Sequence, residues 1–404
     1  MTLSVLIADG FEDWGVEQIG DLGAEVTHDP GLRGDALRDA VTRTECTVLV
    51  VRSTQVTADI FAAAPKLGLV VRAGAGYNTI DVDAASKRGV LVANCPGKNA
   101  VAVAELTFAL ILALDRRIVE NVNDLRTGKW NKKEYATAPG LKDRTIGLVG
   151  FGRIGQEVAR RARAFDMNVV AWSRSLTPSK AEALQVEPCD GPADVAARCD
   201  ILSVHLAAAP ETNRIINADV LGRLPKGAYV INTARQDVMD YDALAAAVNE
   251  RGLRVGLDVF PGEPSTGRAE FDCAIARANG IVYGTHHIGA STKQAQTAIA
   301  NETIRIIQSF AETGKTPNVV NLESQCPAKC QLVVRHFDKV GVLAGILDKL
   351  RRAKINVEEM DNTIFKGRTT AVATIRLSAV PDDALVREIA DMEDLVIRVD
   401  VKPT

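Results

Sequence analysis

The 404-residue chain lacks a long apolar run, a surplus of charge of either sign and any paired arrangement of cysteines. A membrane-spanning helix needs about 20 consecutive apolar residues, and no stretch comes close. The amino terminus passes from SVLIAD straight into the acidic GFEDWG, so neither a signal peptide nor an anchor is expected. A net charge of −3 gives no electrostatic basis for binding nucleic acid. The seven cysteines, Cys46, Cys95, Cys189, Cys199, Cys273, Cys326 and Cys330, are scattered and odd in number. That excludes a disulfide framework as the organising device and favours a reducing, cytoplasmic setting. Cys326, Cys330 and His336 would need a fourth partner to hold zinc, and no metal site is expected. What remains is an ordinary globular composition, 47% apolar and 25% charged, on a chain long enough for two or three cores.

The N-terminal region alternates apolar β-branched runs (SVLIAD, AEVTHD, CTVLVV, LGLVV, VLVAN) with helix-like stretches, which predicts a parallel sheet flanked by helices. AVAVAELTFALILALDRRI, from Ala100, reads as one helix buried on most sides. A second alternating series follows in RTIGLVG, NVVAWS, ILSVHL, AYVINT, LRVGLDVF and IVYGTHH. STKQAQTAIANETIRIIQSFAETG reads as a helix ended by glycine, and TPNVVNLESQCPAKC as a linker. Beyond it, a β-α-β-β-α-β order predicts a small ferredoxin-like module over residues 331–404.

Gly150-Phe151-Gly152-Arg153-Ile154-Gly155 lies between the strand TIGLVG and the helix QEVARRARAF. In that context the glycines predict a tight turn that brings a pyrophosphate to a helix N-terminus, hence a dinucleotide site. The next strand lacks the carboxylate that usually binds the adenosine ribose and ends instead in Ser173-Arg174-Ser175. A hydroxyl followed by a guanidinium suits a 2′-phosphate, so NADP is favoured over NAD.

Downstream lie Arg235 in INTARQD, Glu263 in LDVFPGEP and His287 in GTHHIGAST. Hydride arriving at a ketone leaves negative charge on its oxygen, which an imidazolium can neutralise by proton transfer. His287 is the candidate acid. Glu263 would stabilise its charged form, and the Arg235 fork suits a substrate carboxylate.

These motifs, together with VRSTQVT, RAGAGYNTID, NCPGKNAVAVAELT, TGKW, PNVVNLE and HFDKVGVLAGIL, resemble the D-isomer-specific 2-hydroxyacid dehydrogenases along essentially the whole chain. Within that family the resemblance is to the branch that oxidises 3-phospho-D-glycerate on the way to L-serine and carries an ACT domain. It implies an α/β fold with two doubly wound parallel-sheet domains and a third, ferredoxin-like ACT domain at residues 331–404. The first would be a discontinuous, flavodoxin-like substrate domain from residues 1–96 and 290–322. The second would be a Rossmann domain from residues 97–289.

The resemblance implies Arg235, Glu263 and His287 as the catalytic set, with His286 standing where proline is usual. It adds Thr233, Ala234, Asp258, Gly289 and Ala290 as cofactor contacts beside Gly150, Gly152, Arg153, Ile154, Gly155, Ser173 and Arg174. Substrate would meet Arg52, Ser53, Arg72 and a nest of amides at Gly74, Ala75 and Gly76, with Lys132 a weaker candidate. His336, Asp338 and Asn356 would bind an amino-acid effector such as serine, in a homodimer or homotetramer. The competing readings are an NADP-dependent glyoxylate or hydroxypyruvate reductase and a nicotinamide-sensing binding protein.

Overall fold

In the computed structural model, which describes residues 3–264, 268–323, 326–392 and 394–403, the N-terminal apolar runs become five parallel strands. They are Ser4–Ile7 (β1), Glu25–His28 (β2), Val48–Val51 (β3), Leu69–Arg72 (β4) and Leu91–Asn94 (β5), in the order β2-β1-β3-β4-β5. Val48–Val51 is buried throughout, as a β-branched strand covered on both faces should be. The helix Lys293–Thr313 packs Ile299, Ile306 and Ile307 against this sheet, and each fully buried side chain contributes about 1.5–3 kcal/mol. Thr292 caps its start and Gly314, at φ +66°, ends it. The chain then runs beside β5: Val320 N donates to Val92 O (2.8 Å), and Asn321 Oδ1 accepts from Val92 N (2.9 Å).

The second sheet contains Thr145–Val149 (β6), Asn168–Trp172 (β7), Glu187–Pro188 (β8), Ile201–Val204 (β9), Tyr229–Asn232 (β10), Arg254–Leu257 (β11) and Val282–Gly284 (β12). Its order, β12-β11-β10-β9-β6-β7-β8, reverses direction between β6 and β9. At such a reversal the loops after the two strands diverge and leave a crevice at their carboxyl ends.

The long apolar segment forms the buried helix expected of it, and a second helix follows directly. Ala100–Arg116 is helical and buries Phe108, Ile111 and Leu114, but Arg117 turns left-handed at φ +48°. A second helix, Ile118–Arg126, leaves Ile118, Val119, Val122 and Leu125 exposed.

The chain divides into two compact units, Met1–Asn321 and Leu322–Thr404. The second is an antiparallel sheet of Cys330–Phe337 (β13), Val357–Ile364 (β14), Thr370–Leu377 (β15) and Val396–Pro403 (β16), ordered β14-β15-β13-β16. Helices Val342–Arg352 and Asp383–Ala390 bury Ile346, Leu350, Leu385 and Ile389 in its core, giving the ferredoxin-like arrangement. Of the linker expected before it, Ser324 and Gln325 lie outside the described residues. Among the described residues no helix is long and apolar enough to cross a membrane.

Candidate active site

The turn after β6 shows why its glycines are there. Gly150 has φ +99°, and a Cβ on it would strike the backbone of His205, while one on Gly155 would strike the Gly150 carbonyl. Above Gly152, which caps the helix Arg153–Ala164, the space is open, as close approach of a pyrophosphate requires. Ile154 packs into the core, and Arg153 Nη1 donates to Pro96 O (2.8 Å). At the end of β7 the Ser173 hydroxyl is buried without a partner. Open glycine and orphaned hydroxyl both fit a dinucleotide lying across the turn. Arg174 is exposed and pairs with Glu211 (2.7 Å). Thr233 and Ala234, also expected at the cofactor, are buried; Thr233 Oγ1 pairs with Thr107 Oγ1 (3.0 Å), and Ala234 N donates to Asn232 Oδ1 (3.0 Å).

His287 and Glu263 come together as the chemistry requires. His287 Nδ1 lies 2.7 Å from Glu263 Oε2, while Glu263 Oε1 accepts from Phe260 N (2.7 Å). Nδ1 is thereby engaged, leaving Nε2 for a reacting oxygen. Burial works to raise the Glu263 pKa, but hydrogen bonds from His287 and Phe260 and the charge of Arg235 outweigh it, so the carboxyl sits below its ordinary value. Arg235 is held by its own Nη1 donating to Ala234 O (2.6 Å), and its carbonyl accepts from Asn232 Nδ2 (3.0 Å). Burial lowers its pKa, and the nearby Glu263 carboxylate works against that.

His287 has φ +53°, a conformation that costs a side-chain-bearing residue about 1 kcal/mol or more unless its surroundings enforce it. Asp258, 1% exposed, supplies the enforcement. Its Oδ1 accepts from Thr285 Oγ1 (2.6 Å) and Ile288 N (2.8 Å), and its Oδ2 from Gly289 N (2.8 Å). Two residues expected at the cofactor, Asp258 and Gly289, thus also have partners within the protein. Asp258 spends most of its acceptor capacity on the loop carrying His287, and the Gly289 amide is committed to it. Ala290 O likewise accepts from Gln296 Nε2 (3.0 Å).

Across the cleft, Arg72 has its guanidinium buried, and the charges of Arg235 and Arg52 reach it. Burial first, then those two cations, pull its pKa down to about 10. Arg72 lies over Gly74 and Arg235 over Gly76, so a Cβ at either glycine would strike a guanidinium. The amide nest is smaller than expected: Gly74 N donates to Arg72 O (2.7 Å), whereas Ala75 N and Gly76 N have no protein acceptor among the described residues. Ala75 O accepts from Asn94 Nδ2 (2.6 Å).

A residue not anticipated from the sequence, Asp9, organises the Arg52 loop. Its Oδ2 accepts from the amides of Arg52 (2.6 Å), Ser53 (3.0 Å) and Thr54 (3.0 Å), and its Oδ1 from Ser53 Oγ (2.9 Å). The Ser53 hydroxyl is therefore engaged internally. Despite its burial, those donors hold Asp9 below the usual carboxylate range. Its one sequence signal is a polar residue ending an apolar strand. Beside this loop a cavity of about 260 Å³ is lined by Arg52, Ala73, Gln296 and Ile299. Lys132 instead lines a separate cavity of about 310 Å³ with Trp130. His286 is exposed next to His287.

The effector trio does not meet within one copy of the C-terminal module. His336, 2% exposed, sits opposite Ala371, with Nδ1 on Phe337 O (2.8 Å) and Nε2 on Asn362 Oδ1 (3.0 Å). Asp338 follows at that end of the sheet, its amide donating to Thr369 O. Asn356 lies at the other end, beside Ser378, with Nδ2 on Glu358 (3.1 Å). His336 is thus a core residue by strand register, and a ligand shared by all three requires a second copy.

A Rossmann-ordered sheet facing a second parallel sheet, with a glycine cradle and a histidine–carboxylate pair, defines a dinucleotide-dependent oxidoreductase. The model of the D-isomer specific 2-hydroxyacid dehydrogenase NAD binding domain matches residues 108–289. D-3-phosphoglycerate dehydrogenase of Mycobacterium tuberculosis is 37% identical over 384 residues, covering 93% of this chain and 69% of the relative. The crystal structure of the TT0316 protein from Thermus thermophilus aligns with a TM-score of 0.70 at 30% identity, over 79% of this chain and 100% of that one. An acyclic imino acid reductase, Bsp5, in complex with NADPH and D-Arg aligns at 0.69 and 26%, over 79% and 100%. The chain belongs to the D-isomer specific 2-hydroxyacid dehydrogenase family, and it is an oxidoreductase that uses a nicotinamide cofactor.

Proposed function

We propose that the chain interconverts 3-phospho-D-glycerate and 3-phosphohydroxypyruvate, a cytoplasmic step leading to L-serine. The observation that carries this reading is the gathering of three guanidiniums: Arg52 and Arg72, at the ends of β3 and β4, come near Arg235, which follows β10 and feels the Glu263 carboxylate. Three guanidiniums near one another repel, and a substrate with a carboxylate at one end and a phosphate at the other supplies the charge that relieves them. A neutral-ended hydroxypyruvate or glyoxylate would leave Arg52 and Arg72 without that role, so the phosphorylated substrate is preferred to the reductase reading.

In the proposed mechanism Arg235 and the free amides of Ala75 and Gly76 hold the substrate carboxylate, and Arg52 and Arg72 hold the phosphate. His287 Nε2 takes the C2 hydroxyl proton during oxidation and returns it during reduction, while Glu263 stabilises the imidazolium through Nδ1. The nicotinamide, when bound, accepts or supplies the hydride. Ser173 and Arg174 would hold the adenosine end, and their chemistry favours NADP over NAD. The C-terminal module is read as an ACT-type module that pairs copies into a homodimer or homotetramer. Serine would bind between His336 and Asp338 of one copy and Asn356 of another.

The test is a comparison of specificity constants for 3-phosphohydroxypyruvate, hydroxypyruvate, glyoxylate and 2-oxoglutarate, each with NADH and NADPH. Absence of an advantage for the phosphorylated substrate would defeat the proposal.

A further inference from the structure

Arg174, the cation available to a cofactor 2′-phosphate, is already engaged. Its Nη1 lies 2.7 Å from Glu211 Oε1, with the two side chains 71% and 54% exposed. The residues stand on different supports. Arg174 follows β7 on a long flexible stem, whereas Glu211 belongs to the short turn Pro210–Thr212 after β9. That turn is fixed by its own threonine: Thr212 Oγ1 donates to Ala207 O (2.7 Å) and accepts from Ala209 N (2.9 Å). Beside the pair, the Ser173 hydroxyl is buried with no partner, the mark of a polar group that awaits a ligand.

β7 and β9 flank β6, so the pair spans the crevice edge where the adenosine end of a dinucleotide would lie. The arginine therefore has two possible anionic partners, one belonging to the protein and one to the ligand. Exposed pairs of this kind hold weakly, so an incoming phosphate dianion can displace the carboxylate. NAD, whose ribose carries a hydroxyl there, has no need of the arginine and leaves the pair intact.

We propose that Glu211 is the residue that sets cofactor discrimination, acting as an internal anion that occupies Arg174 and must be displaced before a 2′-phosphate can bind. The proposal rests on the reading of Arg174 as the 2′-phosphate ligand and adds to it a tuning element outside the β7 terminus.

Dissociation constants for NADPH and NADH, measured by fluorescence titration of the full chain, test this in four forms: native, Glu211→Gln, Arg174→Ala and the double variant. Both substituted positions are exposed, and melting curves confirm that each variant is folded. Glu211→Gln is expected to tighten NADPH about fivefold and to leave NADH within about twofold. Arg174→Ala is expected to weaken NADPH about tenfold or more with little change for NADH. In the Arg174→Ala background, adding Glu211→Gln should move NADPH by less than about twofold, because the occupied cation is gone. If Arg174→Ala is selective for NADPH but Glu211→Gln leaves the NADPH to NADH ratio unchanged, this proposal falls and the cofactor reading stands. An equal gain from Glu211→Gln with and without Arg174 overturns the occupancy mechanism. Equal loss of both cofactors in Arg174→Ala removes the 2′-phosphate reading itself.

Discussion

Asp258→Asn separates two roles for a buried carboxylate, loop anchor and cofactor ligand. The native side chain accepts three hydrogen bonds from the 285–289 loop, two through Oδ1 and one through Oδ2. An asparagine can keep the pair at its oxygen, but its amide then points a donor at the Gly289 N–H. One charge-assisted bond worth about 1.5–3 kcal/mol is lost, and a buried donor is left facing a donor. The loop carries His287 at φ +53°, so its ordered form bears the loss directly. A cost of about 3 kcal/mol corresponds to roughly 150-fold in rate if it falls wholly on the competent conformation. Relaxation of an asparagine that has no charge to satisfy reduces this, and a fall in kcat of about 30-fold is expected. NADH affinity should change by less than about threefold, because the carboxylate is spent on the loop. Steady-state kinetics with a parallel fluorescence titration of cofactor give both numbers. Weaker cofactor binding by about tenfold or more with an unchanged rate at saturation would refute the assignment and make Asp258 a cofactor ligand.

Arg72→Ala should raise KM for 3-phosphohydroxypyruvate about 100-fold while altering the specificity constant for hydroxypyruvate far less; parallel loss on both substrates would count against a phosphate role. Glu302, 6% exposed, receives Arg305, Lys98 and Asn318, and these donors, Arg305 foremost, hold its pKa at about 2 against the ordinary 4.5. A carboxyl depressed on folding contributes stability that is fully present above 4.5 and is lost as pH falls toward 2. After allowance for the exposed stems of Arg305 and Lys98, Glu302→Gln is expected to cost about 2 kcal/mol at neutral pH. Melting curves of the two forms should converge as pH falls from about 4.5 toward 2; a constant gap would show that the charge is not what stabilises.

The fold was legible because β-branched runs and the GFGRIG turn are local signals, each readable within a few residues. Arg235, Glu263 and His287 were legible as types whose chemistry belongs together. Asp9 and Asp258 as loop anchors were not, since each acts on amides whose identity depends on which strand ends lie side by side. Two-residue β8 is too short to show a pattern. The separation of His336 from Asn356 within one copy was not legible, because a motif carries no strand register. Glu211 carried no signal until the turns after β7 and β9 were seen side by side.

The most direct measurement of the central claim is single-turnover oxidation of bound reduced nicotinamide by 3-phosphohydroxypyruvate, followed by its absorbance, in the native chain and in His287→Gln. Proton transfer through His287 predicts a loss of about 100-fold or more in the variant with cofactor affinity retained. A variant rate within a few-fold of the native rate would contradict the account.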